Sequence, residues 1–149
     1  MQQDRPGTVC DHCPLVAGGA TMTDDSNKPG WWQNMKFSII YEAQMVDTSP
    51  ESEQRCFLEC VEQAVYAEKM GFDTVWAVEH TALTQYAHMS APETFLAYLA
   101  GRTTTLGIGH GVVCLPPAMN HPVKVAERIA TLDILSGGRV HFGMGKGGT

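Results

Sequence analysis

The 149-residue chain is short of charge: 17% of its residues are Asp, Glu, Lys or Arg, and the formal net charge is -6. Its 10 Lys and Arg residues form no cluster, which argues against a phosphate-neutralising nucleic-acid surface. No apolar run approaches the ~20 residues that a membrane helix needs. The basic-then-apolar order of a secretory signal is missing from the N-terminus. These absences make a cytoplasmic globular chain the expectation, with neither membrane nor nucleic acid among its partners. Hydrophobic residues make up 44% of the chain, enough for the core of one ordinary domain.

Metal and nucleotide motifs are started and left incomplete. There are 5 cysteines, an odd number, and Cys56, Cys60 and Cys114 lie within apolar periodic segments, as buried thiols do. Cys10 and Cys13 form a C-x-x-C, but no second pair completes a zinc site, so no metal is expected. The C-terminal "GGRVHFGMGKGGT" suggests a phosphate cradle. A Walker A loop, however, needs a glycine where Val140 stands and a hydroxyl where Gly147 stands.

The remaining pattern is regular. Residues 1–34 are rich in Pro, Gly, Asp and Asn without a period, and read as an unstructured leader. Strand formers follow at 36–42. A helix is expected over 49–71, with Ser49 as its N-cap, Pro50 at its first position and Gly71 as its left-handed stop. Its stripe is Phe57, Val61, Ala64, Val65 and Ala67. Strands are expected over 72–80, 104–116 and 139–145, and helices over 91–103 and 121–138. Pro122 opens the last helix and Gly137-Gly138 close it. The resulting βαβαβαβ order implies a parallel sheet with right-handed crossovers. It fits either an open doubly wound sheet or the first half of a (β/α)8 barrel.

Three stretches go further. "MKFSIIYEAQ" (35–44), "GFDTVWAVEH" (71–80) and the long run from Thr104 to Gly148 resemble, in this order, the opening strands and helices of the bacterial luciferase-like family of flavin-dependent monooxygenases. The resemblance covers residues 35–149. It implies an α/β fold, the first half of a (β/α)8 TIM barrel of about four parallel strands, preceded by the leader. It also implies reduced FMN as cofactor, O2 and a small organic molecule as substrates, and a separate flavin reductase; a homo-oligomer is possible in such a family. Relatives that transfer hydride with a deazaflavin coenzyme supply an alternative, and a non-catalytic half-barrel or flavin-binding module is another.

The resemblance also assigns roles. His80 stands where the family has a catalytic imidazole near the flavin, and imidazole exchanges protons near neutral pH. Glu79 alternates to the other side and is expected to orient loops or pair with a cation. Many relatives carry a second His where this chain has Thr81. Gly111-Val112 aligns with a non-prolyl cis peptide under the flavin ring, and glycine there admits a flat ring close to the backbone. His110 is a further candidate for touching flavin or substrate, with a core role as the alternative. Lys146 aligns with a family Arg near the flavin phosphate or ring edge, and Gly145 and Gly147 would bring amides close. Arg139 is expected to serve stability at the bottom of the barrel. The inner face is layered by eight strands in such a barrel, so the chain alone is expected to bind FMN poorly.

Overall fold

The computed structural model describes residues 35–85 and 87–147. The expected leader, with Cys10 and Cys13, lies outside the described residues. The elements are β1 (Ser38–Tyr41), α1 (Pro50–Lys69), β2 (Thr74–Ala77), α2 (Pro92–Ala100), β3 (Gly107–Cys114), α3 (Pro122–Ser136) and β4 (Val140–Gly145). The strands are all parallel and stand in the order β1-β2-β3-β4. A doubly wound sheet reverses its strand order at a switch point, and this sheet does not. The sequential order is that of a barrel wall.

Local chemistry sets the boundaries. The Ser49 side chain accepts from the Ser52 amide at the start of α1. Gly71, Gly137 and Gly138 take φ of 83°, 73° and 81°, so the left-handed region ends both long helices. The core lies between helices and sheet: Tyr41, Val75, Ala77 and Ile108 meet Val61, Ala64, Phe95, Leu96, Leu99 and Leu132. Phe95 stacks edge-on with both Tyr41 and Phe57. On the opposite face, Trp76 lies across Gly109 of the neighbouring strand and packs against His141, with ring centroids 5.8 Å apart. A Cβ on Gly109 would fall 2.5 Å from Trp76 Cε3, and one on Gly107 2.7 Å from Thr74 Oγ1. Those two glycines are therefore required by packing.

The third strand begins later than its pattern suggests. The amides of Thr104, Thr105 and Leu106 donate to Glu68 Oε1 at 2.7, 2.6 and 3.0 Å, so a carboxylate on α1 takes the place of a strand neighbour. Burial pushes the Glu68 pKa up, but the three amides outweigh it and leave the carboxyl below its ordinary value. A depressed folded pKa gives stability that is present above the unfolded pKa of about 4.3 and is lost as pH falls through the folded value. Glu68→Gln is expected to cost about 1–2 kcal/mol at pH 7. In urea unfolding the gap to wild type should narrow as pH falls below the unfolded value and through the lower folded one. A gap of constant size down to pH 3 would mean that the ionised carboxylate is not the stabilising species.

Candidate functional site at the strand ends

The C-terminal ends of β2, β3 and β4 lie side by side, and His80, Gly111-Val112 and Lys146 sit in or just beyond them. Sequence periodicity extends the second strand to His80, but β2 ends at Ala77. The Val78 amide still reaches Tyr41 O at 3.2 Å. The His80 amide instead donates to Met89 O at 2.9 Å, because the chain returns across the end of β1, where the amides of His88 and Met89 donate to Ala43 O and Glu42 O. His80 is half-buried on this return loop. Among the described residues, the non-glycine positions with positive φ are Ala43 (50°) and Ala82 (56°). Both lie on this rim, and backbone outliers of that kind concentrate at functional sites.

Beside it, β3 carries one extra residue: its pairing with β4 runs from His110↔Phe142 to Val113↔Met144. Inside that bulge the Gly111-Val112 peptide bond is cis, at the pair that the sequence singles out. Glycines on β4 make room for the bulge. A Cβ on Gly143 would lie 2.3 Å from His110 O, and one on Gly145 2.8 Å from Val112 Cγ2. Gly145 is thus occupied with Val112. Gly111 differs: a Cβ there would meet Trp76 only at ordinary contact distances of 3.5 and 3.6 Å. Packing requires Gly107 and Gly109 but not Gly111. Lys146 is exposed directly after β4.

His110 is set apart from this group. It is 0% exposed and faces the helices, lining a cleft between α2 and α3 with Glu93, Ala97, Arg128 and Leu132. Neither ring nitrogen has a partner in the described structure, and burial pulls its pKa down. The alternation of β3 turns His110 away from the face that carries Trp76 and toward the helices.

The structure adds partners for Glu79 that the pattern did not single out. Glu79 Oε2 accepts from the Cys114 amide at 2.8 Å and Oε1 from Asn120 Nδ2 at 2.9 Å. Asn120 Nδ2 also donates to Cys114 O, and Arg128 Nη2 donates to Asn120 Oδ1, both at 2.9 Å. Arg128 Nη1 pairs with Glu93 of α2. Glu79 therefore orients a loop, as its alternation suggests, and reaches the cation only through Asn120. Burial, reinforced by the Glu79 charge, pushes the Cys114 thiol up. Asn120 announces itself in sequence only as a polar residue beside the start of α3; its reach to Glu79 depends on tertiary geometry.

The family model described as luciferase-like monooxygenase matches residues 35–149. The chain is 36% identical to a luciferase-like monooxygenase of Escherichia coli K12 over 115 residues, which are 76% of this chain and 32% of that protein. It is 41% identical to the alkanal monooxygenase alpha chain of Photorhabdus luminescens over 81 residues, 54% of this chain and 22% of the relative. Among solved structures, it superposes with a TM-score of 0.69 and 26% identity on the oxygenating constituent of 3,6-diketocamphane monooxygenase of Pseudomonas putida, a structure in complex with FMN, covering 77% of this chain and 30% of the other. The chain thus spans about a third or less of the length of these relatives. With its four-stranded half-barrel and this match across the whole described region, the chain belongs to the luciferase-like monooxygenase family.

Proposed function

We propose that residues 35–149 form the flavin-binding first half of an FMN-dependent monooxygenase that oxidises a small organic molecule with O2. The observation that carries this reading is the convergence of His80, the Gly111-Val112 bulge and Lys146 at the C-terminal ends of three adjacent parallel strands, where barrels of this class place their chemistry. The fit to a flavin rests on Gly111. It is a glycine that the protein's own packing does not require, on the bulge that lies on this rim. The partially exposed Val112 beside it offers an apolar contact for a ring. Lys146 offers a point charge to an anionic phosphate. Bound reduced flavin would supply the electrons that activate O2. His80 would hold or move a proton at the reacting oxygen, and the return loop carrying Met89 would limit access of water. A separate reductase would supply the reduced flavin, and the setting would be the cytoplasm. The match to an oxygenating constituent solved with FMN favours this reading over a deazaflavin-dependent hydride transfer.

The test is a flavin titration on the chain alone and on a chimera in which residues 35–149 replace the matching third of the E. coli relative. The chimera is expected to bind FMN, and the chain alone to bind it much more weakly. Gly111→Ala should leave the melting temperature nearly unchanged while weakening FMN binding. Lys146→Glu should weaken it at least tenfold, because a like charge would face the phosphate; tenfold corresponds to about 1.4 kcal/mol. A folded chimera that fails to bind FMN would overturn the reading. Binding that is indifferent to both substitutions would remove Gly111 and Lys146 from the site.

A further inference from the structure

The polar chain from Glu79 to Glu93 has only one satisfied arrangement. Asn120 donates twice, to Glu79 Oε1 and Cys114 O, and accepts once, from Arg128 Nη2. Turning its amide over would set its oxygen against a carboxylate and a carbonyl, and its NH2 against a guanidinium. Glu79 is likewise held at both oxygens, by the Cys114 amide and by Asn120. Arg128 is anchored behind by Glu93. Glu79, Asn120, Arg128 and Glu93 thus form one continuous run beside His110. A mismatched member sets like groups against each other at hydrogen-bond distance, at Glu79 and Asn120 most directly because both are half-buried.

The placement of this network gives it a role. Glu79 directly precedes His80, and Cys114 ends the strand whose bulge contains Gly111-Val112. Asn120 directly precedes the His121 cap of α3. One carboxylate therefore ties the backbone beside His80 to the end of the bulged strand and to the loop after it.

We infer that Glu79 and Asn120 are positioning residues: their bridge fixes His80 relative to the Gly111-Val112 bulge, with the Arg128–Glu93 pair holding the amide of Asn120 in its one productive orientation. The inference rests on the reading of His80 and the bulge as parts of one site. The device is polarity, not mere bulk, and this makes it separable from a general contribution to folding.

The test exploits that polarity and is read without flavin. Glu79→Gln places an NH2 against the NH2 of Asn120. Asn120→Asp places a carboxylate against the Glu79 carboxylate. The double variant restores a donor facing an acceptor, keeps the acceptor for the Cys114 amide, and gives Arg128 a carboxylate; its one remaining mismatch is an oxygen of the introduced carboxylate facing Cys114 O, so the return is incomplete. Nitrogen-15 spectra of the four proteins should show the Cys114 amide and the His80 ring signals displaced in each single variant. In the double variant both should return most of the way to wild type, while amides of the buried face of α1, such as Val61 and Ala64, stay in place throughout. Coupling of this kind between contacting residues is what a double-mutant cycle isolates. The inference is overturned if the single variants leave His80 unmoved, or if the double variant lies no closer to wild type than the worse single one. If the chimera fails to bind FMN while displacement and rescue appear, the flavin reading falls and the positioning stands. If FMN binds and rescue is absent, the positioning falls alone.

Discussion

Gly143→Ala is expected to be among the most damaging single-methyl additions in the chain. The new Cβ would lie 2.3 Å from the carbonyl oxygen of His110 and 3.2 Å from Val112 Cγ1. The first of these is backbone, so no side-chain rotation relieves it. β3 and β4 must move apart at the bulge that their pairing surrounds. Overpacking of a tight interior typically costs about 1–3 kcal/mol, and a backbone clash belongs at or above the top of that range. For a domain of this size that is a fall in melting temperature of roughly 10 °C. Differential scanning calorimetry of the variant checks it. Gly111→Ala on the adjacent strand is the control, since its Cβ would meet only ordinary contacts. Equal melting temperatures for the two variants would contradict the close approach of β4 to the bulge.

The second large effect lies at the opposite end of the sheet. Arg139 donates to the carbonyls of Ala100, Thr103, Leu106 and Ser136 and to Thr103 Oγ1, at distances from 2.7 to 3.1 Å. It thereby closes the C-terminal end of α2, the turn into β3 and the end of α3 with one planar group. Burial pulls the guanidinium pKa down, and the charge of Glu68 pushes it back up. Arg139→Leu would keep much of the volume and strand these acceptors. At about 1–3 kcal/mol for each buried group left without a partner, the loss should exceed about 3 kcal/mol. Arg139→Lys should recover only part of it, because an ammonium on a flexible stem cannot serve the same fork of acceptors. Urea denaturation of the three proteins reads the order directly. A lysine variant as stable as wild type would show that charge alone, without the planar fork, is sufficient.

Much of this architecture was legible in the sequence because it is local. The Ser49-Pro50 start, the Gly71 and Gly137-Gly138 stops, and the apolar periods placed seven elements in order with errors of a few residues. Two of those errors share a cause: at the start of β3 and beyond the end of β2, outer amides had found partners other than a strand, Glu68 for Thr104 to Leu106 and Met89 for His80. The strand order separated two architectures that composition left open. At the site, the resemblance singled out the Gly111-Val112 pair, where the structure places the cis bond in a bulge. His110 was open between a flavin contact and a core role, and the alternation of β3 turns it toward the helices. The Glu79–Asn120 bridge spans 41 residues of sequence and has no periodic signature. Only the fold brings its members together.

The Trp76–His141 layer has a consequence for depth. On the face away from the helices, the indole spans from Gly109 toward Gly111, and His141 closes over Gly107. The middle of this sheet is therefore plugged by the chain's own rings. Under the proposed flavin reading, a ring beside Gly111 would lie next to the Trp76 indole. On that reading Trp76 would act as a depth stop, and a smaller side chain there would let the ring sit closer to the sheet.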